Sequence, residues 1–285
     1  MRQDDVSNDV KMIPAQLCSY LKDAFNRGKV VCLTGAGISA ESGIPTFRGE
    51  GGLWERYDPQ VYAHREGLIS LFKRKPAELV NFIVDFYSLL FKAKPNPGHL
   101  ALGILEKENR LRAIITQNID NLHRQAGNRN VIELHGNSFR IRCQACLKKL
   151  TLEKDRLREM VAWLKRSRDS KIKILKVLSR YFPRCACGGR YRIDIVLFGE
   201  SLPQDELSRA YKYLDEADTL LIVGTSLLVY PAASLPLYAK EKGAKLVEIN
   251  NEESALSEIC DYKIMGKASE VLPEILNLMV LSQNE

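Results

Sequence analysis

Four cysteines in two close pairs could hold a metal ion. Two residues separate Cys143 from Cys146, and one residue separates Cys185 from Cys187. Thiolates at such spacings are ligands of tetrahedral Zn²⁺, and a set of four leaves no ligand position for water. The sequence therefore predicts one structural zinc ion, although the single residue inside the second pair makes its geometry tight. Four unligated thiols are the alternative.

A histidine that follows a short apolar strand could act as a general base. His135 lies in Glu-Leu-His-Gly at 133–136, and an imidazole pKa of about 6.5 suits proton transfer at neutral pH. A lone histidine is more often structural, so both interpretations stay open on the residues alone. We expect His64, His99 and His123 to be structural or surface residues.

A glycine-rich turn could bind a dinucleotide. The pattern G-x-G-x-x-A at 35–40 contains Gly35, Ala36, Gly37 and Ile38 and directly follows an apolar strand. Such glycines let the backbone approach a pyrophosphate, and the next helix offers its N-terminus to the anion. An ordinary tight turn is the alternative. The expected acidic residue at the end of a second strand is poorly matched, which disfavours a hydride-transfer dehydrogenase.

Polar residues also follow three other apolar strands. These residues are Gln117, Asn118 and Asp120 after one strand, Gly224, Thr225 and Ser226 after another, and Asn250 after a third. Amides, hydroxyls and carboxylates at strand ends can hydrogen-bond a ribose or a carboxamide. Ordinary turn formation is the alternative for each of them.

Such groups need a scaffold that brings strand ends together. Apolar runs predict buried parallel strands at 29–34, 113–116, 195–198, 219–224 and 245–250. Apolar residues at three- and four-residue spacing predict helices at 14–27, 99–109, 203–216, 231–241 and 270–281. This alternation predicts a doubly wound, Rossmann-like α/β sheet with ligands at the carboxyl ends of its strands.

Two segments break the alternation and predict a smaller, inserted domain that binds zinc and is otherwise helical. These segments are 45–95 and 136–192. The remaining segments, 14–44, 96–135 and 193–281, would form the large Rossmann-like domain that carries the glycine-rich turn. The segment 147–184, which lies within 136–192, predicts two amphipathic helices.

Composition and charge limit the class of protein. Of 285 residues, 45% are hydrophobic and 27% charged, which indicates a globular chain and excludes general disorder. No apolar stretch approaches the roughly 18 residues of a membrane span, and the first residues do not resemble a signal peptide, so we expect a cytoplasmic location.

The insert 147–184 has 13 Lys or Arg and 4 Asp or Glu. A net charge of +9 predicts either a solvated basic face or a site for an acidic or nucleic-acid partner.

Six sequence blocks together resemble the sirtuin family of NAD-dependent protein-lysine deacylases. They are GAGISAESGIPTFRG at 35–49, TQNID at 116–120, ELHG at 133–136, FGE at 198–200, GTSLLVYPAA at 224–233 and EIN at 248–250. The blocks follow the family's order, and the resemblance extends over about residues 14–276. It implies that NAD is consumed as a co-substrate and that the zinc site is structural.

The resemblance also implies residue roles. His135 would be the catalytic base, which takes a proton from the nicotinamide ribose after the acyl-lysine carbonyl oxygen has displaced nicotinamide. The residues that would bind NAD are Gly35, Ala36, Gly37, Ile38, Phe47, Arg48, Gln117, Asn118, Asp120, Gly224, Thr225, Ser226, Asn250 and Ala268. Those that would receive an acyl-lysine peptide as an added strand are Val196, Phe198, Gly199, Val229 and Tyr230.

The acyl group and the acceptor are less closely specified. Desuccinylating sirtuins carry a Tyr-x-x-Arg pair before the P-N-x-x-H segment, whereas this chain has Tyr87 but no arginine from 75 to 109. An apolar pocket favours acetyl or longer fatty acyl groups. Mono-ADP-ribosyl transfer or NAD hydrolysis is the alternative activity, and a noncatalytic NAD-binding module is a weaker one.

Overall fold

Two sheets and the helices around them make up the described part of the chain. The computed structural model describes residues 13–46 and 53–281. The strands are β1 (Val30–Thr34), β2 (Leu111–Thr116), β3 (Val131–Glu133), β4 (Gly136–Cys143), β5 (Lys149–Thr151), β6 (Tyr191–Ile195), β7 (Thr219–Val223), β8 (Lys245–Asn250) and β9 (Tyr262–Met265). The helices are α1 (Ala15–Arg27), α2 (Leu53–Arg56), α3 (Pro59–Tyr62), α4 (Arg65–Arg74), α5 (Pro76–Lys92), α6 (Pro97–Lys107), α7 (Leu122–Gln125), α8 (Lys154–Ser167), α9 (Lys171–Tyr181), α10 (Gln204–Asp215), α11 (Leu235–Glu241) and α12 (Ala268–Leu281).

The larger sheet is parallel and doubly wound, as the sequence predicts. Its order is β3-β2-β1-β7-β8-β9, and every neighbouring pair runs parallel. The chain moves outward from β1 to β3 on one side and from β7 to β9 on the other. The direction therefore reverses between β1 and β7, which is where sheets of this class bind ligands.

Apolar side chains cover both faces of this sheet. One core joins β1, β2, β7 and β8 to α1, α6 and α12. The other joins the opposite face to α10 and α11. Burial on both faces explains why β1 and β7 read as continuous apolar runs in the sequence.

The smaller sheet has the order β5-β4-β6 and is antiparallel. A third core packs it against α5, α8 and α9. The two predicted helices of the insert are confirmed, with Leu157 and Leu164 buried on α8 and Ile174 buried on α9. The domain boundaries drawn from the sequence stay a prediction.

The predicted parallel strand at 195–198 is wrong. The strand there is β6, which ends at Ile195 and pairs antiparallel with β4 in the smaller sheet. A turn closed by a hydrogen bond from Glu200 N to Leu197 O follows it. β9 instead forms one edge of the large sheet, and β3 forms the other. The sequence of β9, Tyr-Lys-Ile-Met, is short and half polar, so it contains no apolar run that would predict a strand. Among the described residues, no helix is long and apolar enough to cross a membrane.

Candidate functional site

The glycine-rich turn after β1 packs against the end of β7, at the point where the sheet reverses. Gly35 N donates to Val223 O at 3.0 Å, and Gly37 N donates to Gly224 O at 2.8 Å. A Cβ on Gly37 would lie 2.7 Å from Gly224 Cα, so only glycine permits this approach. The segment that follows is a 3₁₀ helix, Ala36–Ser42, and not the α-helix expected from the pattern.

Asn118 and Asp120 bind this turn directly. Asn118 Nδ2 donates to Gly35 O at 2.9 Å and to Ser39 Oγ at 3.1 Å. Ser39 Oγ in turn donates to Asp120 Oδ2 at 2.7 Å, and Leu122 N donates to Asp120 Oδ1 at 2.8 Å. Burial raises the pKa of the Asp120 carboxyl, against the effect of the two hydrogen bonds it accepts. The sequence therefore found two of the three side chains of this cluster, and missed Ser39.

A second chain of contacts links the ends of β2, β7 and β8. Gln117 Nε2 donates to Thr225 Oγ1 at 2.9 Å, and Asn250 Nδ2 donates to Thr225 O at 3.1 Å. Thr225 is buried, whereas Ser226 beside it is exposed. Three residues predicted from separate strand ends are thus brought together at one edge of the sheet.

His135 lies between β3 and β4 and faces the same edge. Its Nδ1 lies 2.9 Å from the backbone oxygen of Gln117. A carbonyl oxygen only accepts, so Nδ1 carries the proton and the lone pair is left on Nε2. Burial lowers the pKa of His135, against the opposing effect of the Gln117 hydrogen bond. The side chain is therefore a neutral imidazole at pH 7 with one nitrogen free to accept a proton.

Buried ion pairs hold the strands on both sides of His135. Arg140 Nη1 pairs with Glu133 Oε2 at 2.7 Å, and Arg140 Nε pairs with Asp194 Oδ2 at 2.6 Å. Arg124 contacts Glu133 as well, and Arg142 contacts Asp194 at 3.1 Å. Arg140 therefore joins β3, β4 and β6 around the histidine.

Two buried histidines lie behind the turn, where the sequence predicts no site. His99 Nε2 lies 3.4 Å from Ser39 Oγ, and His123 Nε2 lies 2.9 Å from Thr34 Oγ1. Their ring centroids are 4.9 Å apart. Burial lowers the pKa of His99 to about 4 and that of His123 well below its usual value, so both are neutral at pH 7. Their partners are many residues away in sequence, so no local pattern could have revealed the cluster.

A cavity opens between the glycine turn and α5. One side of it is polar and contains the Ser39, Asn118 and Asp120 cluster, and the other is apolar and comes from α5 and the segment before residue 46. The lining residues are Ala36, Ser39, Ile44, Pro45, Phe86, Leu89, Leu90, Asn118, Ile119 and Asp120. A ring with a carboxamide would find both an apolar wall and hydrogen-bonding groups there.

The other predicted residues are less tightly clustered. Ile38 is fully buried beneath the turn and Ala268 is buried at the start of α12. Val229 is half-buried, and Tyr230 is 69% exposed. Phe47 and Arg48 lie outside the described residues, so their predicted roles stay predictions.

The four cysteines of the smaller sheet meet at one point. All four sulfurs lie within 4.8 Å of one another, and the pairs Cys143–Cys187 and Cys146–Cys185 are each 3.6 Å apart. A tetrahedral Zn²⁺ with Zn–S bonds of about 2.3 Å requires sulfur separations of about 3.8 Å, so the donor set fits this ion. A Cβ on Gly189 would lie 2.6 Å from Cys143 Sγ, so a glycine there makes room for the thiolate. The one-residue spacing of the second pair is therefore compatible with a common centre.

Comparison with known proteins gives a consistent result. A family model described as the Sir2 family matches residues 35–231. The chain is 47% identical to an NAD-dependent protein deacylase of Pyrococcus abyssi over 87% of this chain and 91% of that protein. It is also 47% identical to an NAD-dependent protein deacylase of Pyrococcus furiosus, over 86% and 91% respectively.

Solved structures agree with these matches. A mutant Sir2 homologue in complex with ADP-ribose superposes with a TM-score of 0.76 at 37% identity, over 95% of this chain and 98% of that one. A Sir2 complex with a p53 peptide and NAD⁺ superposes with a TM-score of 0.69 at 37% identity, over 94% and 98%.

Proposed function

The chain belongs to the Sir2 family, the sirtuins, and from this membership we propose that it is an NAD-dependent protein-lysine deacylase. The reaction transfers the acyl group of a modified lysine to ADP-ribose and releases nicotinamide. One observation carries the proposal: a neutral histidine of fixed tautomer faces the switch point of the sheet, beside a glycine turn and a cavity suited to nicotinamide. Relatives named NAD-dependent protein deacylases support it.

The residues at the switch point fit NAD. When bound, NAD supplies an electrophilic ribose carbon, a nicotinamide leaving group and ribose hydroxyls. Asn118 and Asp120, which line the cavity, would hold the carboxamide end, and the glycine turn at 35–37 would face the phosphates. Thr225 and Asn250 would hold the adenosine half. A solved complex of a Sir2 protein contains NAD⁺, which supports NAD as the ligand.

His135 would remove the proton from a ribose hydroxyl. Nε2 is the nitrogen that can accept it, because the Gln117 carbonyl oxygen keeps the other nitrogen protonated. The same carbonyl oxygen would stabilise the imidazolium that forms, since its lone pairs face Nδ1–H. General-base catalysis of this kind contributes roughly 10²–10⁴-fold.

The peptide would bind across the segments Val196–Gly199 and Val229–Tyr230. Extended peptides commonly add to such strand edges, with main-chain hydrogen bonds giving affinity. The exposed side chains of Tyr230 and Leu228 offer apolar surface beside the second segment. A Sir2 structure containing a p53 peptide supports a peptide substrate.

The acyl group would be acetyl or a longer fatty chain. Phe86, Leu89 and Leu90 of α5 line the cavity, and none of its described lining residues is Lys or Arg. Tyr87 donates its hydroxyl to Ser138 O at 2.9 Å and is only 4% exposed, so this hydroxyl is already engaged. A succinyl carboxylate would thus be buried without a cation, which costs several kcal/mol.

One zinc ion would be held by Cys143, Cys146, Cys185 and Cys187 and would have a structural role. All four ligands come from the protein, so the ion has no open position for substrate. It would join the end of β4 to the loop before β6 and thereby support the strands that flank His135.

The basic insert could serve an additional partner, and we propose an acidic or nucleic-acid one. Lys171 Nζ donates to Lys73 O at 2.5 Å, which brings the lysines of α9 beside the basic end of α4. Ile172 is exposed between Lys171 and Lys173 on α9, and Trp163 is exposed on α8. A salt-dependent affinity for duplex DNA that falls in Lys173→Glu and not in the α10 variant Lys212→Glu would support this proposal. Equal binding by both variants would reject it.

The cytoplasmic location also stays a prediction.

The alternative activities differ in the acceptor of ADP-ribose. We would supply the enzyme with NAD and, in separate reactions, an acetyl-lysine peptide, the unmodified peptide or no peptide. A deacylase releases nicotinamide in proportion to deacetylated peptide and only in the first reaction. Release without peptide would indicate a hydrolase, and a protein mass increase of one ADP-ribose would indicate a transferase. No release in any reaction would leave a noncatalytic module.

A further inference from the structure

The loop that follows β6 is closed by an ion pair that spans it. Arg192 on β6 donates from Nη1 to Glu200 Oε1 at 2.6 Å, and its Nη2 contacts Glu200 Oε2. Nη2 also donates to Ile195 O at 2.5 Å. The two side chains are 24% and 22% exposed, so the pair is shielded from much of the solvent. A bidentate arginine–carboxylate pair fixes both distance and orientation.

Glu200 also fixes the loop from within. Leu197 N donates to Glu200 Oε2 at 3.1 Å, and Glu200 N donates to Leu197 O at 3.0 Å. Gly199 lies between them with φ of 81°, a left-handed conformation that favours glycine. Burial alone would raise the pKa of Glu200, but the hydrogen bonds from Arg192 and Leu197 N–H hold it below its usual range. The carboxylate is therefore ionised at neutral pH.

The opposite side of the loop is attached to the catalytic region. Val196 N donates to His135 O at 2.9 Å, and Phe198 N donates to Ala63 O at 2.9 Å. The amides of Val196 and Phe198 are thus already used, so a peptide that adds to this segment would have to pair with its other backbone groups. The conformation of the loop therefore depends on contacts at both ends, and one of these contacts is with the backbone of His135.

We propose that Arg192 and Glu200 are positioning residues for the acyl-lysine peptide, because their ion pair holds Val196–Gly199 in the conformation that receives it. This inference rests on the proposed deacylase function. Neither side chain has to touch the peptide. The pair acts through the backbone of the loop, by fixing the Ile195 carbonyl and the Leu197 amide relative to His135.

The test separates peptide binding from cofactor binding. Glu200→Gln keeps the size of the side chain and removes its charge, whereas Arg192→Lys keeps the charge and removes the fork. We would measure KM for an acetyl-lysine peptide and KM for NAD, together with the affinity for ADP-ribose by calorimetry. We expect each variant to raise the peptide KM at least tenfold and to change the NAD KM and the ADP-ribose affinity less than twofold.

The matched controls are Arg112→Lys and Glu216→Gln, which alter an exposed ion pair of 2.8 Å at the other end of the large sheet. We expect both to have wild-type kinetics. An unchanged peptide KM in the Arg192 and Glu200 variants would overturn the proposal. So would an equal loss of ADP-ribose affinity, or a failure to fold, because the pair would then serve the fold in general. Absence of peptide-dependent nicotinamide release by the wild-type protein would instead refute the proposed function itself.

Discussion

One hydrogen bond and burial would together prepare His135 for the proposed proton transfer. The Gln117 carbonyl oxygen determines which ring nitrogen carries the proton, and burial determines the charge of the ring. Both effects are needed, because an imidazolium has no free lone pair and the other tautomer would place its lone pair against the Gln117 carbonyl oxygen. The Glu-Leu-His-Gly motif predicted this residue, but the tautomer could not be predicted, because Gln117 is 18 residues away.

The lowered pKa of His135 gives a prediction for pH dependence. Only the neutral form can accept a proton, so the rate should rise with pH through the pKa of the folded enzyme and level off above it. Because burial lowers that pKa from its ordinary value of about 6.5, the acid limb of kcat/KM should lie below pH 6.5. Initial rates between pH 5 and pH 8, at about half-unit intervals, measure this limb. An inflection above pH 7 would contradict the account.

Local motifs predicted the residues of the site but not the contacts between them. Gly35, Asn118 and Asp120 were identified because each follows an apolar strand in a recognisable block. Ser39 and His99, whose side chains complete the cluster, were missed because they meet only in the folded chain, 60 residues apart.

At the scale of secondary-structure elements, Arg140 holds three strands together around His135. It pairs with Glu133 of β3 and Asp194 of β6, both of which are almost fully buried. Without Arg140, Glu133 would keep only Arg124 as a cation and Asp194 only Arg142, in a region of low dielectric. Here one substitution would affect two carboxylates.

Arg140→Met should therefore be strongly destabilising. We expect the free energy of unfolding to fall by about 3–5 kcal/mol, because the buried carboxylates of Glu133 and Asp194 lose a shared cation. Arg112→Met removes an exposed arginine from its pair with Glu216 and should cost at most about 1 kcal/mol. Urea denaturation of both variants makes the comparison. Similar losses in the two would show that the Arg140 contacts contribute no more than surface ion pairs.

On the proposed function, helix α5 would determine which acyl group the cavity accepts. Its residues Phe86, Leu89 and Leu90 face the site, and Leu90 stands three residues after Tyr87, where desuccinylating sirtuins carry an arginine. An alkyl chain gains about 0.8 kcal/mol for each CH₂ buried there, whereas a carboxylate loses its solvation. The two contributions have opposite signs.

Acetyl- or longer fatty-acyl-lysine should consequently be processed at least about tenfold more efficiently than succinyl-lysine, a difference of about 1.4 kcal/mol. Three peptides of one sequence, assayed at saturating NAD, give the ratio. Leu90→Arg should shift the ratio toward the succinylated peptide, and its melting temperature should be recorded, since Leu90 is buried. If the wild-type enzyme prefers the succinylated peptide, a basic residue such as Arg65 or Lys92 must reach the cavity.

At the scale of the whole molecule, the site depends on two sheets that meet beside His135. The large sheet presents the ends of β1, β2, β7 and β8, and the smaller sheet supplies β4 and β6 next to the base. The sequence predicted the large sheet because strands buried on both faces are continuous apolar runs. It misplaced 195–198, because a short apolar run does not show whether its pairing will be parallel or antiparallel.

Zinc removal should affect the smaller sheet first. The four cysteines connect β4 with the loop before β6, so loss of the ion should release these strands and, with them, the support of His135. We expect about one zinc per chain and loss of activity on chelation. Metal analysis and near-ultraviolet circular dichroism before and after chelation test this expectation. Full activity in protein free of zinc would show that the thiols support the fold without metal.

The most direct test of the account is product analysis of the wild-type enzyme and His135→Ala with NAD and an acetyl-lysine peptide. Mass spectrometry would quantify nicotinamide, deacetylated peptide and O-acetyl-ADP-ribose in each reaction. We predict equal amounts of the three products from the wild type, and a fall of about 10²–10⁴-fold in O-acetyl-ADP-ribose from the variant, whose fold should be unchanged because His135 is only partly buried. A folded variant that forms O-acetyl-ADP-ribose at more than roughly a tenth of the wild-type rate would contradict the role of His135 as the base.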